Sequence, residues 1–574
     1  MIRPCIGLVA LAVALPASAQ VPSAPSELRD TVTRYSLDRD ALLRRFHVEY
    51  APARRERLRG FLTEWRTRLA ATEFDRLEVE GRIDWLLHGN AIRREAAQLD
   101  LEERRAREAA GIVPFVETIM DLQESRRRME TPVPAQVSAT LAALAKQLDS
   151  LRKAVEPPAQ PRPDTSRAAR IVALRSVGLL ESLQRTLAQW YRYYAGYDPI
   201  FTWWNADPYR RVDSALTQYG RALRRHVVGQ KEGEDEPIIG DPIGAEALKA
   251  ELAFELIPYG PEELVAIAER EFAWSEGEMK RASRELGFGD DWKRALERVK
   301  NTYVEPGKQA DLVRDLALEA IAFVESRDLV TVPPLAKEIW RMEMLSPEQQ
   351  KVSPFFLGGE VFRVSYPTDA MAHEDKLMSL RGNNPHFSRA VAHHELIPGH
   401  HLQGFMSRRY NAHRAEFATP FCTEGWALYW EMLLWDLGFP RGPEDRVGML
   451  FWRMHRSARI IFSLRFHLGT MTPQEAIDFL VDRVGHERAN ATAEVRRSFN
   501  GSYPPLYQIA YMIGGLQFRA LHRELVTSGR MTNRQFHDAV LQSGNMPVEM
   551  IRARLLGQRL PRDFRPAWRF EGRP

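Results

Sequence analysis

The sequence from His393 to His401 reads His-His-Glu-Leu-Ile-Pro-Gly-His-His. It combines four imidazoles and one carboxylate with Pro398 and Gly399, two residues that interrupt a regular helix. A second segment, Thr-Glu-Gly-Trp-Ala-Leu-Tyr at 423–429, adds a carboxylate further along the chain. Imidazoles and carboxylates in this combination are the ligands of hydrolytic zinc sites. These two segments therefore predict a zinc-binding site.

The first part of this stretch is predicted to lie on a helix. A helix is expected to begin at Asn384 and Pro385, because asparagine is a good N-cap and proline is favoured at the first helical position. Phe387 and Ala390 share an apolar helical face with His394, at spacings of three and four residues. A single inward histidine is commonly a hydrogen-bonded core residue. The neighbouring histidines and glutamates favour His394 as a metal ligand instead.

The second histidine ligand requires a break in this helix. In the common zinc-peptidase motif the second histidine follows the first by four residues, but that position is Pro398. On an unbroken helix His394 and His401 would lie about 10 Å apart along the axis, too far for two bonds of about 2.1 Å. Pro398 lacks the amide hydrogen that continues a helix, and Gly399 permits unusual dihedrals. We predict a two-residue widening that makes His400 the second ligand, with His401 as the alternative.

Three acidic or imidazole side chains are predicted to act around the ligands. Glu395 leaves the helix about 100° from His394, so that it can accept a proton from the metal-activated water without binding the ion. Glu431, two turns beyond Glu424, is predicted to orient a ligand histidine or to accept the amino terminus of a substrate. Neighbouring helical residues point in different directions, and His393 is therefore predicted to contact the substrate or to support a ligand.

The strings His-His-Glu-Leu-Ile-Pro-Gly-His-His-Leu-Gln at 393–403 and Glu-Gly-Trp-Ala-Leu-Tyr at 424–429 resemble the signature of the DUF885 family. These are exported bacterial proteins of a gluzincin-like peptidase class that includes helical peptidases similar to angiotensin-converting enzyme. The likeness extends from about residue 25 to 570, with recognisable motifs between 363 and 515. It implies a mainly α, large helical gluzincin-like peptidase fold with a deep cleft and a small β-sheet beside the site.

The resemblance also implies roles for residues outside the histidine stretch. The third zinc ligand of this class is a glutamate on a later helix, and Glu424, 24 residues after His400, is the matching residue. Tyr511 matches a tyrosine of the family and is expected to donate a hydrogen bond to the developing oxyanion, with Tyr507 as the alternative. Apart from the resemblance, Arg496 and Arg497 are candidates to hold a substrate carboxylate, and a structural salt bridge is the preferred interpretation.

The chain divides into three regions in sequence. Residues 1–19 have a basic start, a short apolar run and Ala-Ser-Ala before position 20, which predicts a cleavable signal peptide and an exported, periplasmic or secreted protein. A Gly/Pro cluster at 237–244 separates an N-terminal helical region, 20–244, from a catalytic helical region, 245–574, and the two are expected to form one DUF885-like unit. The run 355–367 predicts a short hairpin bordering the cleft.

Charge and hydropathy exclude several classes of partner. The 80 basic and 76 acidic residues are interleaved along the chain, which disfavours nucleic-acid binding. The apolar run near the start is shorter than the ~20 residues of a membrane span, so no stable membrane insertion is expected. Nothing in the sequence favours a particular oligomeric state.

These observations predict an exported zinc metallopeptidase that hydrolyses peptide substrates through a metal-activated water, with Glu395 as general base. Two alternatives stay open. The same site could hydrolyse a non-peptide amide or ester, or the chain could be a non-catalytic exported binding protein that keeps a peptidase-like cleft.

Overall fold

We describe residues 25–158, 163–350, 355–500 and 503–571 from a computed structural model. The predicted signal peptide, 1–19, lies outside these residues. Within them, no helix is both long and apolar enough to cross a membrane.

The described chain is mainly helical, as predicted from the sequence. The first part contains seven helices: α1 (Arg29–Arg45), α2 (Pro52–Ala70), α3 (Val79–Ala109), α4 (Val116–Arg127), α5 (Pro134–Val155), α6 (Arg167–Tyr194) and α7 (Pro199–Leu223). The next helices lead to the histidine stretch: α8 (Gly244–Phe254), α9 (Pro261–Glu285), α10 (Trp292–Lys300), α11 (Gln309–Ser326), α12 (Pro334–Ile339), α13 (Pro347–Gln350), α14 (His373–Gly382) and α15 (Pro385–Glu395). The last part contains α16 (His400–Ser407), α17 (Pro420–Asp436), α18 (Pro443–His467), α19 (Pro473–Phe479), α20 (Arg488–Phe499), α21 (Tyr507–His522), α22 (Asn533–Leu541) and α23 (Val548–Leu555).

A small sheet lies beside these helices, and its pairing differs from the predicted hairpin. Strand β1 (Arg341–Met344) pairs in parallel with β2 (Val361–Val364), with Arg341 opposite Val361. Within the run 355–367 only one antiparallel bridge forms, between Leu357 and Arg363. The predicted short hairpin is therefore present as this single bridge, and the longer pairing of β2 is with the distant β1. A parallel partner needs a crossover connection, here through α13, and the alternation within one strand carries no signal of that distant partner.

Buried ion pairs join the first helices to the histidine-bearing part of the chain. Asp84 of α3 lies 2.8 Å from Arg414 Nε and 2.6 Å from His413 Nε2, and all three side chains are buried. Glu80 adds a contact of 2.6 Å to Arg414 Nη2. Charges removed from water are costly unless they are paired, so this network fixes how α3 sits against residues 412–417.

Helices α17 and α21, which both contribute to the site described below, cross in direct backbone contact. An added Cβ at Gly514 would lie 2.1 Å from the carbonyl oxygen of Phe421 and 2.8 Å from Cα of Gly425. Real side chains essentially never approach backbone this closely. Glycine at this position therefore allows the two helices to approach each other.

Gly514→Ala is expected to lower the free energy of unfolding by at least about 1–3 kcal/mol, because the helices must move apart to admit the methyl group. Gly277→Ala in α9 is the control, since an added Cβ there has nothing within 4 Å. That control should raise the free energy of unfolding by about 0.5–1 kcal/mol. Urea denaturation measures both, and equal stability of Gly514→Ala and wild type would contradict the crossing geometry.

Candidate metal centre

The helix that carries His394 begins at its predicted cap. The side chain of Asn384 accepts hydrogen bonds from the amides of His386 and Phe387, both at 3.0 Å, and Pro385 occupies the first turn. These contacts satisfy amides that have no partner within the helix. The cap thereby sets the start of α15 and places His394 on its buried face.

The chain then breaks between α15 and α16, where the sequence predicted an interruption. The amide of Gly399 donates to the carbonyl of His393 at 3.0 Å, and the amide of Leu402 donates to Leu396 at 3.3 Å. Each of these bonds spans six residues instead of the four of an α-helix. Gly399 is required here, because an added Cβ would lie 1.8 Å from the carbonyl oxygen of His394.

This widened turn brings His400 beside His394. His400 Nε2 lies 3.1 Å from Glu424 Oε2, and His394 Nε2 lies 3.7 Å from the same oxygen. His401 points elsewhere, with its Nε2 2.7 Å from the carbonyl oxygen of Ala336. Of the two histidines left open by the sequence, the structure brings His400 to the cluster and gives His401 a backbone partner.

The donor atoms of His394, His400 and Glu424 lie close enough together to approach one zinc ion. All three lie within 4.8 Å of one another, and no other such group of His, Cys, Asp or Glu occurs in the described ranges. With zinc–ligand bonds of about 2.0–2.2 Å, tetrahedral ligand atoms lie roughly 3.4 Å apart. The two distances to Glu424 fall on either side of this value. The residues therefore fit a zinc ion.

Glu431 holds the imidazole of His394 in place. Its Oε1 lies 2.6 Å from His394 Nδ1, which leaves Nε2 directed at the cluster. Burial alone would lower the pKa of His394, but its hydrogen bonds with Glu424 and Glu431 outweigh burial and raise that pKa to about 9. The site thus favours a positive charge between these groups. A carboxylate behind a ligand histidine also fixes its tautomer and strengthens metal binding.

Glu424 is buried, in a positive environment that keeps it ionised. Burial acts to raise the pKa of Glu424, but the charge of His400 and the hydrogen bonds with His394 and His400 lower that pKa well below its usual range. The hydroxyl of Tyr507 donates a hydrogen bond to the second carboxylate oxygen. Both oxygens of Glu424 are therefore engaged, one by Tyr507 and one by the histidine pair.

Glu395 lines the same cavity as His394, His400 and Glu424, and its carboxylate makes no hydrogen bond within the described ranges. Its backbone is packed against Gly358, where an added Cβ would lie 2.6 Å from Glu395 Cα, and its carbonyl accepts from the amide of Gly359 at 3.2 Å. Burial raises the pKa of the Glu395 carboxyl. A raised pKa suits a general base that must hold and then release a proton.

These groups open into one cavity of about 380 Å³. Tyr511 contributes to its wall, and its ring lies nearly parallel to that of His394, with the centroids 6.2 Å apart. Arg497 also lines the cavity and pairs with Glu494. The salt bridge considered for Arg497 from the sequence is therefore present. Apolar side chains complete the wall: Phe355, Phe356, Leu357, Val391 and Trp452.

His393 is not brought into this cavity. Its ring is completely buried, meets Phe439 edge-on at 5.5 Å, and has neither nitrogen hydrogen-bonded within the described chain. Burial lowers the pKa of His393 to about 3, so this imidazole is neutral. The structure thus places it in the apolar core behind the site, separate from the ligands.

Arg456 and Arg459 also line the cavity, and the sequence analysis did not select them. Both lie on α18, where every residue from Val447 to Leu464 is buried. Arginines at spacings of three residues along a largely apolar segment were the available signal, since buried guanidinium groups are rare without a ligand or an ion pair.

A family model and two solved structures match most of the chain. The family model "Bacterial protein of unknown function (DUF885)" matches residues 34–555. A protein from Shewanella oneidensis, described as a "putative lipoprotein of unknown function", has 19% identity and a TM-score of 0.67, with 93% of this chain and 100% of that chain covered. A "putative lipoprotein" from Colwellia psychrerythraea has 15% identity and a TM-score of 0.57, with 92% and 97% covered.

No protein with a curated description matches the sequence significantly. The two solved structures share the fold with this chain over nearly its whole length, and their descriptions assign no activity. The family match also extends across most of the chain and includes every residue of the candidate metal centre. The chain therefore belongs to the DUF885 family.

Proposed function

We propose that the protein is a zinc metallopeptidase of the gluzincin-like class that cleaves peptide bonds. One observation carries this proposal: the donor atoms of His394, His400 and Glu424 converge in the same cavity as the free carboxylate of Glu395. A three-ligand site leaves a coordination position open, which distinguishes catalytic from structural zinc sites.

The ligands would hold zinc through His394 Nε2, His400 Nε2 and Glu424 Oε2. Bound there, a zinc ion supplies Lewis-acid chemistry beside Glu395. Glu431 keeps His394 oriented through its Nδ1, and Tyr507 keeps Glu424 oriented through its second oxygen.

Glu395 is the proposed general base. Its carboxylate accepts a proton from the attacking water and then transfers a proton to the leaving amine. Tyr511 is the proposed donor to the developing oxyanion, because its hydroxyl makes no hydrogen bond in the described parts of the chain and its ring borders the cavity. Tyr507 already donates to Glu424, which makes it the less available of the two tyrosines.

We also propose that the protein acts outside the cytoplasm, in the periplasm or as a secreted protein. The predicted signal peptide supports this location, although residues 1–19 lie outside the described structure. The two structural relatives are described as putative lipoproteins, which is compatible with export.

Glu431→Gln is expected to weaken zinc binding by about 10–100-fold, because the amide is a poorer acceptor for the Nδ1 hydrogen of His394. The dissociation constant can be measured by competition with a chelator of known affinity. Glu416→Gln is a suitable control, since that glutamate pairs with Arg39 away from the cavity. Unchanged zinc affinity in Glu431→Gln would remove this glutamate from the support of the metal ligand.

The proposed activity is tested by incubating zinc-loaded protein with a library of unmodified peptides and identifying the products by mass spectrometry. We expect cleavage that stops when a chelator removes zinc and returns when zinc is restored. Zinc binding with hydrolysis of simple esters or amides alone would favour a non-peptide substrate. A protein that neither binds zinc nor cleaves would be a binding module.

A further inference from the structure

Three arginines form one wall of the cavity that holds the metal ligands, and we call this set the arginine wall. Arg456 and Arg459 lie on α18, and Arg497 lies on α20. Their side chains are only 6%, 2% and 10% exposed, respectively. Guanidinium groups taken out of water are costly unless anions pair with them. The number of carboxylates that pair with these three arginines therefore indicates whether the cavity binds a negatively charged group.

One carboxylate, Glu494, forms ion pairs with two of these arginines. Its Oε1 lies 2.7 Å from Arg459 Nε, and its Oε2 pairs with Arg497. Glu494 is completely buried, and the neighbouring charges of Arg459 and Arg497 lower its pKa to about 2 despite its burial. A single negative charge thus faces two positive ones.

The third arginine has a weaker and shared partner. Arg456 Nη2 lies 3.5 Å from Glu431 Oε1, an oxygen that is already 2.6 Å from His394 Nδ1. The other two carboxylates of the cavity, Glu395 and Glu424, face the zinc position, where a divalent ion would balance them. Three guanidinium groups are therefore left with two carboxylates, one of them shared with a metal ligand.

Hydrogen-bond donors on this wall are also unused. Arg456 Nε, Arg459 Nη1 and Arg497 Nε are buried and have no hydrogen-bond partner within the described ranges. The Nη1 groups of Arg456 and Arg497 likewise make no hydrogen bond to any described residue. Since arginine donors fit the two oxygens of a carboxylate, this wall can accept one more anion.

The arginine wall lies close to the zinc ligands. The guanidinium carbons of Arg456 and Arg459 lie 4.7 and 4.5 Å from the centre of the Tyr511 ring, which is itself 6.2 Å from the imidazole of His394. A peptide residue spans at most about 3.6 Å. An anion on the wall therefore lies within about three residues of the position where zinc would act.

We propose that the arginine wall binds a carboxylate of the substrate, placed within about three residues of the bond that is cleaved. This inference rests on the proposed peptidase function and narrows its substrate class. The carboxylate has two possible sources, the free C-terminus of the peptide or an Asp or Glu side chain.

Three peptides that are otherwise identical and have a blocked amino terminus test the proposal. One ends in a free carboxylate, one ends in an amide, and the third ends in an amide but has Glu in place of its last neutral residue. At least one carboxylate-bearing peptide should have a kcat/KM about 100-fold above that of the neutral amide, and the faster one identifies the source. Equal kcat/KM for all three would overturn the proposal.

Variants of Arg456 separate the wall from a direct contact between carboxylate and zinc. Arg456→Gln should reduce the ratio of kcat/KM for acid over amide by about 10-fold, and Arg456→Lys should retain part of it. A merely structural defect slows both peptides alike and leaves the ratio unchanged. Arg453→Gln is the matched control, since Arg453 is buried on the same helix and pairs with Glu271 at 2.8 Å, outside the cavity. An unchanged ratio in Arg456→Gln would contradict the proposal.

Absence of cleavage for all peptides would count against the proposed peptidase function. In that case, binding of small acids and amides tests whether the arginine wall binds a carboxylate. N-acetylphenylalanine and its amide serve as probes in calorimetric titrations of the zinc-loaded protein. The acid should bind at least about 10-fold more tightly than the amide, and Arg456→Gln should abolish the difference. Equal affinity of the two probes for the wild-type protein would overturn the inference independently of turnover.

Discussion

Glu395→Gln is expected to keep one zinc ion per chain and to lower kcat for peptide hydrolysis by at least about 10²–10⁴-fold. Glutamine has nearly the shape of glutamate but cannot accept a proton from the attacking water. The substitution leaves His394, His400 and Glu424 in place, so zinc binding should not change. The packing of residue 395 against Gly358 should also be unchanged, because glutamine and glutamate have similar volumes.

The measurement combines zinc analysis of the purified variant with its turnover of the best peptide. Glu360→Gln is the control, because Glu360 precedes β2 and pairs with Arg341 at 3.0 Å outside the cavity. That control should retain both zinc and turnover. Wild-type turnover by Glu395→Gln would exclude Glu395 as the general base, even if the metal site were correct.

His400→Ala is expected to weaken zinc binding by more than about 100-fold, because it removes a ligand atom. Loss of a hydrogen bond to a ligand, as in Glu431→Gln, costs only about 10–100-fold. His401→Ala, one residue further, should bind zinc with nearly wild-type affinity. Its Nε2 lies 2.7 Å from the carbonyl of Ala336, so this variant should lose about 1 kcal/mol of folding stability instead.

This pair of neighbouring variants distinguishes the two readings of the widened turn. Zinc affinity is measured by competition with a chelator, and folding stability by urea denaturation of the metal-free proteins. The opposite pattern, with zinc lost from His401→Ala and kept by His400→Ala, would mean that the turn between α15 and α16 presents a different imidazole to the ion.

The local features around the site could be predicted because short-range rules determine them. Asn384 and Pro385 fix the start of α15 through capping. Pro398 and Gly399 interrupt the helix for steric and hydrogen-bonding reasons that apply in any protein. The start of α15 and the break after Glu395 therefore followed from nearby residues.

The choice between His400 and His401 could not be made from the sequence. Adjacent residues on a helix point about 100° apart, and which one faces the ion depends on the path of the chain through the turn. In the structure the partner of His401 is Ala336, 65 residues earlier. The sequence around His401 carries no sign of a partner so far away along the chain. Only the path of the backbone through the turn decides between the two histidines.

The other features that the sequence did not predict depend on contacts between distant segments. β1 and β2 pair in parallel across an intervening helix, and the sequence of β2 alone suggested a hairpin. Arg459 meets Glu494 across 35 residues, so the arginine wall is visible only when α18 and α20 are brought together. Glu431 lies 2.6 Å from His394 Nδ1, and its spacing of two turns from Glu424 on one helix indicated a position near these residues.

The central claim is that His394, His400 and Glu424 hold one zinc ion. Anomalous diffraction recorded on both sides of the zinc absorption edge, from crystals of zinc-loaded protein, tests it most directly. We expect one strong anomalous peak about 2.0–2.2 Å from His394 Nε2, His400 Nε2 and a carboxylate oxygen of Glu424. A peak bound by other residues, or none at this position in fully zinc-loaded protein, would contradict the account.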